Sequence, residues 1–444
     1  MFFKYVTVFF ILVGLAGNTL VAQQKWSLNQ CISYAIENNT DLKQYKIQEN
    51  IYAETLKQSK RDLLPGVSAS SSAGLNFGRS VDPNTNDIVN NEYFSNSYSV
   101  TSSVTLFSGF RLQNKIQYEK FRKKASEYNR LNAIDDLAFS VMNAYFDVIY
   151  YKGMLKIAEN QVETSELKLK ATEKQVDVGL MAKSDLLEMR ANLEKEELSR
   201  IQIENSLRSS ELTLRQTMNM IDNQELTPEE ESYPVFSGEV PSVTRLFDPF
   251  TKWSPYYQSL VSQLKISEKS LAVTRSGLYP SLSFGGEIST GYYETNRDGN
   301  NRIIGFEDQF KNNKSKYLGA SISIPVFSCW GSHSDVKQAR LNVELAKAKL
   351  ESEKQKMYFE MSQNLNDLEA LEREYRQYEK QKEVDQLAYQ TAEKKLEQGL
   401  ISVIDFYVIK DRYANSQSQV LRAGLQLEIK KRTLDFYMGR RFWE

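Results

Sequence analysis

The residues able to do chemistry in this chain are few and mostly lack companions. His333 is the one histidine among 444 residues, and no Cys/His cluster surrounds it. Without a companion ligand, His333 reads as a surface or interfacial residue rather than as part of a metal or catalytic site. No Gly-rich phosphate loop opens a helix. Runs of Glu and Lys such as Glu194 to Glu197 read as solvated helix faces. The expectation is a protein that is not an enzyme and carries no cofactor or metal. Two aspartates say more. Asp185 follows Gly179-Leu180, and Asp405 follows Gly399-Leu400 at the same spacing. A carboxylate in the first turn of a helix favours the positive end of the dipole, so capping accounts for both. The other chemistry is electrostatic: copies of Asp405 repeated around an axis would make an acidic ring that binds cations or hinders anions.

Both readings need elements that bring a Gly turn to the mouth of two helices, and an internal repeat supplies them. Phe107-Ser108 recurs as Phe327-Ser328, Gly179-Leu180 as Gly399-Leu400, Asp185 as Asp405 and Met218 as Met438, all at an offset of 220. Upstream, Leu64-Pro65 pairs with Tyr279-Pro280 at an offset of 215. The five-residue difference falls in the segment between the strands, a loop tip where insertions are tolerated. From Phe107 to Gly179 the apolar residues step by three or four, through Leu131, Ile134, Leu137, Val141, Ala144 and Val148, with no proline from 84 to 227. That predicts a helix of about 70 residues, near 100 Å at 1.5 Å each. A second runs from about Ser334 to Gln398. Shorter helices return over 185–218 and 405–438, and others enter the strands over 27–62 and 254–277. Residues 221–255 hold five of the nine prolines and the acidic cluster Glu229 to Glu231. This is either a belt of short elements or a linker.

Around the loops the period becomes two. Tyr98, Val100, Val104 and Leu106 alternate with Ser97, Ser99, Thr101, Ser103 and Thr105. Leu318, Ala320, Ile322 and Ile324 repeat the phase against Gly319, Ser321, Ser323 and Pro325. The preceding strands hold Val67, Ala69, Ala73, Leu75 and Phe77 in one copy and Leu282, Phe284, Ile288 and Tyr292 in the other. Strands of about 10 residues with one apolar face fit a tilted membrane wall, although a soluble hairpin with one wet face has the same pattern. Tyr93, Phe94, Tyr292 and Tyr293 are candidate interfacial aromatics. Four strands cannot close a barrel, and an open edge in lipid is costly. Two chains would give eight strands and a filled interior, three would give twelve and a lumen. The Ser/Thr/Gly lining favours three.

Composition agrees. A quarter of the residues are charged, yet the net charge is only -1, so no footprint for nucleic acid exists. Lys4, an apolar run to about Ala16 and Val21-Ala22 before Gln23 read as a secretory leader, residues 1–22. Cys31 and Cys329 are expected to lie too far apart for a disulfide.

The chain resembles the TolC-like outer-membrane efflux protein (outer membrane factor) family over nearly all of its mature length. The resemblance rests on Leu64-Pro65 and Tyr279-Pro280 opening strands, on Leu106-Phe107-Ser108-Gly109 and Val326-Phe327-Ser328 closing them, and on Val178-Gly179-Leu180 and Gln398-Gly399-Leu400 with their aspartates. It implies an α+β membrane protein in which a long antiparallel α-helical barrel of coiled-coil hairpins joins a transmembrane β-barrel, four strands per protomer. It also implies a homotrimer in the outer membrane, with helices extending into the periplasm, working with a periplasmic adaptor (membrane fusion protein) and an inner-membrane transporter. Gly179, Leu180, Gly399 and Leu400 would be the adaptor-docking turns. Asp405 would line the periplasmic gate, with Asp185 on the neighbouring coil. The acid often found three residues after the second aspartate is Val408 here, and the arginine sometimes found two residues after the second Gly is Ile401. A closed state resting on apolar packing is the expectation. The domains are then the leader 1–22, a first repeat 23–220, an equatorial connecting segment 221–253 and a second repeat 254–444. The rival reading is a periplasmic coiled-coil scaffold or adaptor without a pore.

Overall fold

A computed structural model describes residues 25–81, 86–90, 92–221, 227–229 and 241–443. The leader lies outside the described residues, as do Glu230, Glu231 and Pro234 of the connecting segment. The first repeat holds β1 (Lys25–Trp26), α1 (Leu28–Asn38), α2 (Thr40–Arg61), β2 (Gly66–Asn76), β3 (Arg79–Val81), β4 (Ile88–Asn90), β5 (Tyr93–Ser108), α3 (Arg111–Asp177) and α4 (Lys183–Thr217). There follow β6 (Thr227–Pro228), α5 (Val243–Trp253), α6 (Pro255–Ser276), β7 (Ser281–Tyr293), α7 (Phe306–Asn312), β8 (Ser315–Ser323), α8 (Gly331–Glu397) and α9 (Val403–Tyr437).

Helix lengths match residue for residue between the copies. α1 and α5 have 11 residues each, α2 and α6 have 22, α3 and α8 have 67, and α4 and α9 have 35. The first two pairs stand 215 residues apart and the last two 220. The change of offset falls between the strands, where residues 77–92 join β2 to β5 and the longer 294–314 join β7 to β8. α5 lies inside the expected connecting segment and is the counterpart of α1.

The entering helix expected over 27–62 is two helices. Asn39 leaves helical geometry at ψ 123°, and its side-chain oxygen accepts the N–H groups of Asp41 and Leu42. It thus ends one helix and caps the next. The equivalent break in the second copy is Ser254, extended at ψ 119° because Pro255 follows.

Two compact units arise, and each contains stretches from both repeats. One comprises Lys46–Asn129 and Tyr256–Lys354. Its centre is an antiparallel sheet in the order β2-β5-β7-β8, so β2 and β8 are the edges. Strand β5 slips register between Thr105 and Phe107, and Gly109 then turns the chain at φ 61°. A Cβ there would lie 2.8 Å from the Ser276 carbonyl oxygen and from Tyr279 Cβ, which explains the glycine. The second copy uses Cys329 at φ 49° in the same place. β8 stops at Ser323, short of the expected run to Pro325, because a proline cannot donate to a ladder.

The other unit comprises, among the described residues, 25–45, 130–221, 227–229, 241–255 and 355–443. The described part of 221–253 forms short elements. β6 pairs parallel with β1, and Tyr145 donates its hydroxyl to the carbonyls of Trp26 at 3.1 Å and Glu229 at 3.0 Å. Phe250 and Trp253 of α5 meet Phe436 near the end of α9 at 6.1 and 5.1 Å between ring centres. Cys31 is buried and free, its thiol pushed up to about 12 by burial, while Cys329 is exposed and free.

Candidate functional site

Each long helix ends in the same turn. Gly179 and Gly399 sit at φ 75° and 69°. The N–H of Leu180 reaches the Gln175 carbonyl at 2.7 Å, and that of Leu400 reaches Lys395 at 2.8 Å. This is the left-handed helix end that glycine permits without a Cβ penalty. The leucines that follow are not folded back onto their helices: Leu180 is 77% exposed and Leu400 67%. Behind the turns lies an apolar core of Met189, Ala392, Leu396, Val403, Phe406 and Tyr407, with Met181 and Ile401 packed against it. Met181 and Ile401 are themselves related by the 220-residue offset. Ile401, where an arginine sometimes stands in the resembling family, therefore contributes apolar packing.

The two aspartates differ locally. Ser402 accepts the Asp405 N–H at 3.0 Å and donates its hydroxyl to Asp405 Oδ2 at 2.7 Å, so Asp405 takes part in a helix cap. The signal was present as Ser402 three residues before an acid. Asp185 lies in the first turn of α4, whose cap residue Ala182 makes no side-chain bond. Asp185 is thus left to the helix dipole alone.

The reading of Glu194 to Glu197 as a solvated face fails at Glu196. Its carboxylate is buried against Lys410 of α9, whose ammonium lies 2.8 and 3.0 Å from the two oxygens. Lys410 also donates to Ser165 Oγ at 2.6 Å and to the Gln161 carbonyl at 2.7 Å on α3, while Ser165 shares a hydrogen bond with Tyr407 Oη at 3.1 Å. The side chains of Lys410 and Glu196 are only 4% and 8% exposed. Burial pulls Lys410 below the ordinary lysine range, with Glu196 opposing. One ammonium therefore ties α3, α4 and α9 together. Spacing within any one helix could not reveal this, since the partners are more than 200 residues apart in sequence. Lys168 makes a more exposed bridge from α3 to Glu393 and Glu397 of α8, at 3.0 and 2.8 Å.

The sheet separates two chemistries. On one face Ser68 bonds to Thr101, Ser70 to Ser99, Ser72 to Ser97 and Ser283 to Ser321, at 2.7 to 2.8 Å. Glu287, in register with Thr101 and Tyr317, shares this face. On the other face Val100 stands beside Ile288 and Val104 beside Phe284. Leu75, Phe284, Ile288, Leu318 and Ile322 are all exposed there. Alternation puts Phe94 and Tyr292 on this apolar face, with rings 6.3 Å apart, and Tyr93 and Tyr293 on the hydroxyl side. The four candidate aromatics are thus divided between the two faces. Among the described residues no helix is long and apolar enough to cross a membrane, and no group of three or more His, Cys, Asp or Glu is placed to hold a metal ion.

Known proteins share this architecture. The chain is 24% identical over 369 residues to outer membrane protein TolC of Salmonella enteritidis, covering 81% of this chain and 71% of that one. It is 21% identical over 406 residues to the toluene efflux pump outer membrane protein TtgC of Pseudomonas putida, covering 88% and 80%. The crystal structure of the Campylobacter jejuni CmeC outer membrane channel superposes with a TM-score of 0.81 at 17% identity, over 94% of this chain and 86% of that chain. The pattern that defines the outer membrane efflux proteins matches residues 31–220 and 258–440, one stretch for each copy of the repeat. With that match over most of its length and the duplicated strand-and-helix architecture, the chain belongs to the outer membrane efflux protein family.

Proposed function

We propose that three copies of this chain pool their strands into a twelve-stranded outer-membrane barrel, continued into the periplasm by their long helices. The trimer is the passive exit conduit of a tripartite efflux or type I secretion system, fed by an inner-membrane transporter through a periplasmic adaptor. One observation carries this reading: a four-stranded sheet with an apolar face, a hydroxyl face and two unpaired edges, β2 and β8. Such edges are satisfied in lipid only by closure with other chains, and four strands per copy need company to enclose a lumen. The repeats 23–220 and 254–444 each supply two strands, the segment 221–253 connects them, and residues 1–22 are the export leader.

The test is conductance. The purified protein in a planar bilayer should carry ions, and a preparation that neither conducts nor fractionates with outer membranes overturns the channel in favour of a pore-less scaffold. Asp405, with Asp185 on the adjoining coil, forms the periplasmic gate in this reading. Asp405→Asn should lower the preference for cations, read as a shift in reversal potential under a salt gradient. Because Ser402 already binds the carboxylate, an unchanged potential assigns Asp405 to helix capping alone.

Gly179, Leu180, Gly399 and Leu400 form the adaptor-docking tips. Two exposed leucines on tight turns are small apolar knobs that suit a partner groove. Leu180→Asp with Leu400→Asp should abolish crosslinking to the adaptor. The helical content should be unchanged, because neither side chain packs in the core. Crosslinking at the wild-type level would remove the turns from the interface.

A further inference from the structure

The loop between β7 and β8 contains α7, a seven-residue helix far too short to persist alone. It is fastened to the sheet by named bonds. Gln309 is buried, donates to the Tyr293 carbonyl at 3.0 Å and to the Ile304 carbonyl at 2.8 Å, and accepts the Tyr293 N–H at 3.1 Å. Thr290 donates its hydroxyl to the Phe310 carbonyl at 2.8 Å, and Asn313 donates to the Gly291 carbonyl at 2.9 Å.

These fastenings place α7 over the apolar face. Phe306 and Phe310 lie 6.4 and 5.6 Å from Tyr98, and Phe306 lies 6.0 Å from Tyr292. Both tyrosines belong to the apolar alternation, at the loop end of their strands. Counted from Phe107, an apolar band of about 25 Å on strands tilted about 40° takes up about 33 Å of strand, or about ten residues at 3.3 Å each, and so ends near Tyr98, with Phe94 and Leu75 of the same face lying beyond it. The aromatic cluster under α7 thus sits at one rim of the band, where such rings gather.

Charge at this rim is uneven in its availability. Glu307 is paired with Lys311 at 2.6 Å. Glu294 accepts the Phe94 N–H, and Asp298 accepts those of Asn300 and Arg302. Asp308 sits in the first turn of α7, where the helix dipole favours it. Lys314 and Lys316 are exposed. Lys316 stands on the apolar face, in register with Ile288, one row in from α7. A lysine there keeps its stem in lipid and extends its ammonium outward to the rim.

We propose that α7, Lys314 and Lys316 form a seat for a phosphorylated lipid headgroup of the outer leaflet. The Tyr98, Tyr292, Phe306 and Phe310 cluster takes the upper acyl segments, and the two ammonium groups take the phosphate. The proposal rests on the barrel reading above, which puts lipid against this face.

The experiment uses the full detergent-solubilised chain and bisphosphorylated lipid A, with retained lipid counted by native mass spectrometry. The wild type should retain lipid A, while Lys314→Gln with Lys316→Gln should weaken retention by roughly tenfold or more. Both lysines are exposed, so the sheet should fold, as circular dichroism would verify. Dephosphorylated lipid A should bind the wild type as weakly as lipid A binds the variant. Excess inorganic phosphate should leave retention intact; if it strips the lipid, the seat recognises free phosphate and the lipid assignment falls. Equal retention of both lipid forms, or by both proteins, also overturns the proposal. Bilayer conductance of the same preparation separates the two ideas: a conducting channel with equal retention removes the seat alone, whereas failure to insert removes the barrel beneath it.

Discussion

Replacing Lys410 by methionine is expected to destabilise the helical unit by about 3–5 kcal/mol, because it leaves the Glu196 carboxylate buried without its cation. Glu196→Gln should cost less, since the amide still accepts a hydrogen bond, but it leaves the buried ammonium without a counter-charge. The informative variant is the pair Lys410→Met with Glu196→Leu. Buried ion pairs repay their desolvation poorly, so the double variant should recover most of the single-variant loss. A coupling of roughly 2 kcal/mol or more in a double-mutant cycle, read from urea unfolding of the helices, is the expected signature. Additive losses would mean that the two side chains do not depend on each other.

The same pair predicts a pH dependence with a definite sign. Burial holds Lys410 below the ordinary lysine range in the folded chain. Between that lowered value and about 10.4 the unfolded chain binds the proton more tightly than the folded chain. The contribution of Lys410 to stability therefore rises as pH climbs through this window. The double variant should lack that slope when compared directly with the wild type.

The second large effect concerns two neighbours on β7. Phe284→Arg puts a cation near the middle of the apolar face and should cost about 2–4 kcal/mol of folding into a bilayer. Ser283→Arg, one residue away, points to the hydroxyl face and loses only its bond to Ser321, so folding should be nearly unaffected. The comparison is read as the urea dependence of folding into phospholipid vesicles, followed by gel mobility. Similar penalties at both positions would show that the two faces do not meet different solvents, and the barrel would lose its main support.

Much of this molecule was readable from its residues because two periodicities dominate it. Steps of three and four along α3 and α8, and alternation along β5 and β8, are local signals that survive without tertiary context. Duplication then tested each signal against a second copy. The Gly-Leu turns were readable for the same reason, since both copies place a glycine at the positive φ that ends the long helix.

What escaped was non-local. Glu196 sits in a run of charges that looks solvated until Lys410 arrives from 214 residues away. α7 lies in a loop with no period of its own and owes its existence to Gln309, Thr290 and Asn313. The break at Asn39 is a capping event hidden in an uninterrupted helical pattern, whereas Pro255 announces its counterpart openly.

The equal lengths of the duplicated helices constrain how such a chain can vary through descent. One residue inserted into α3 would turn every later side chain by about 100° about the axis, taking Ser165 away from Lys410 and the core residues away from one another. The unchanged 67 and 35 residues in both copies agree with that constraint. The five-residue difference between the halves falls instead between the strands, where residues 77–92 join β2 to β5 and residues 294–314 join β7 to β8.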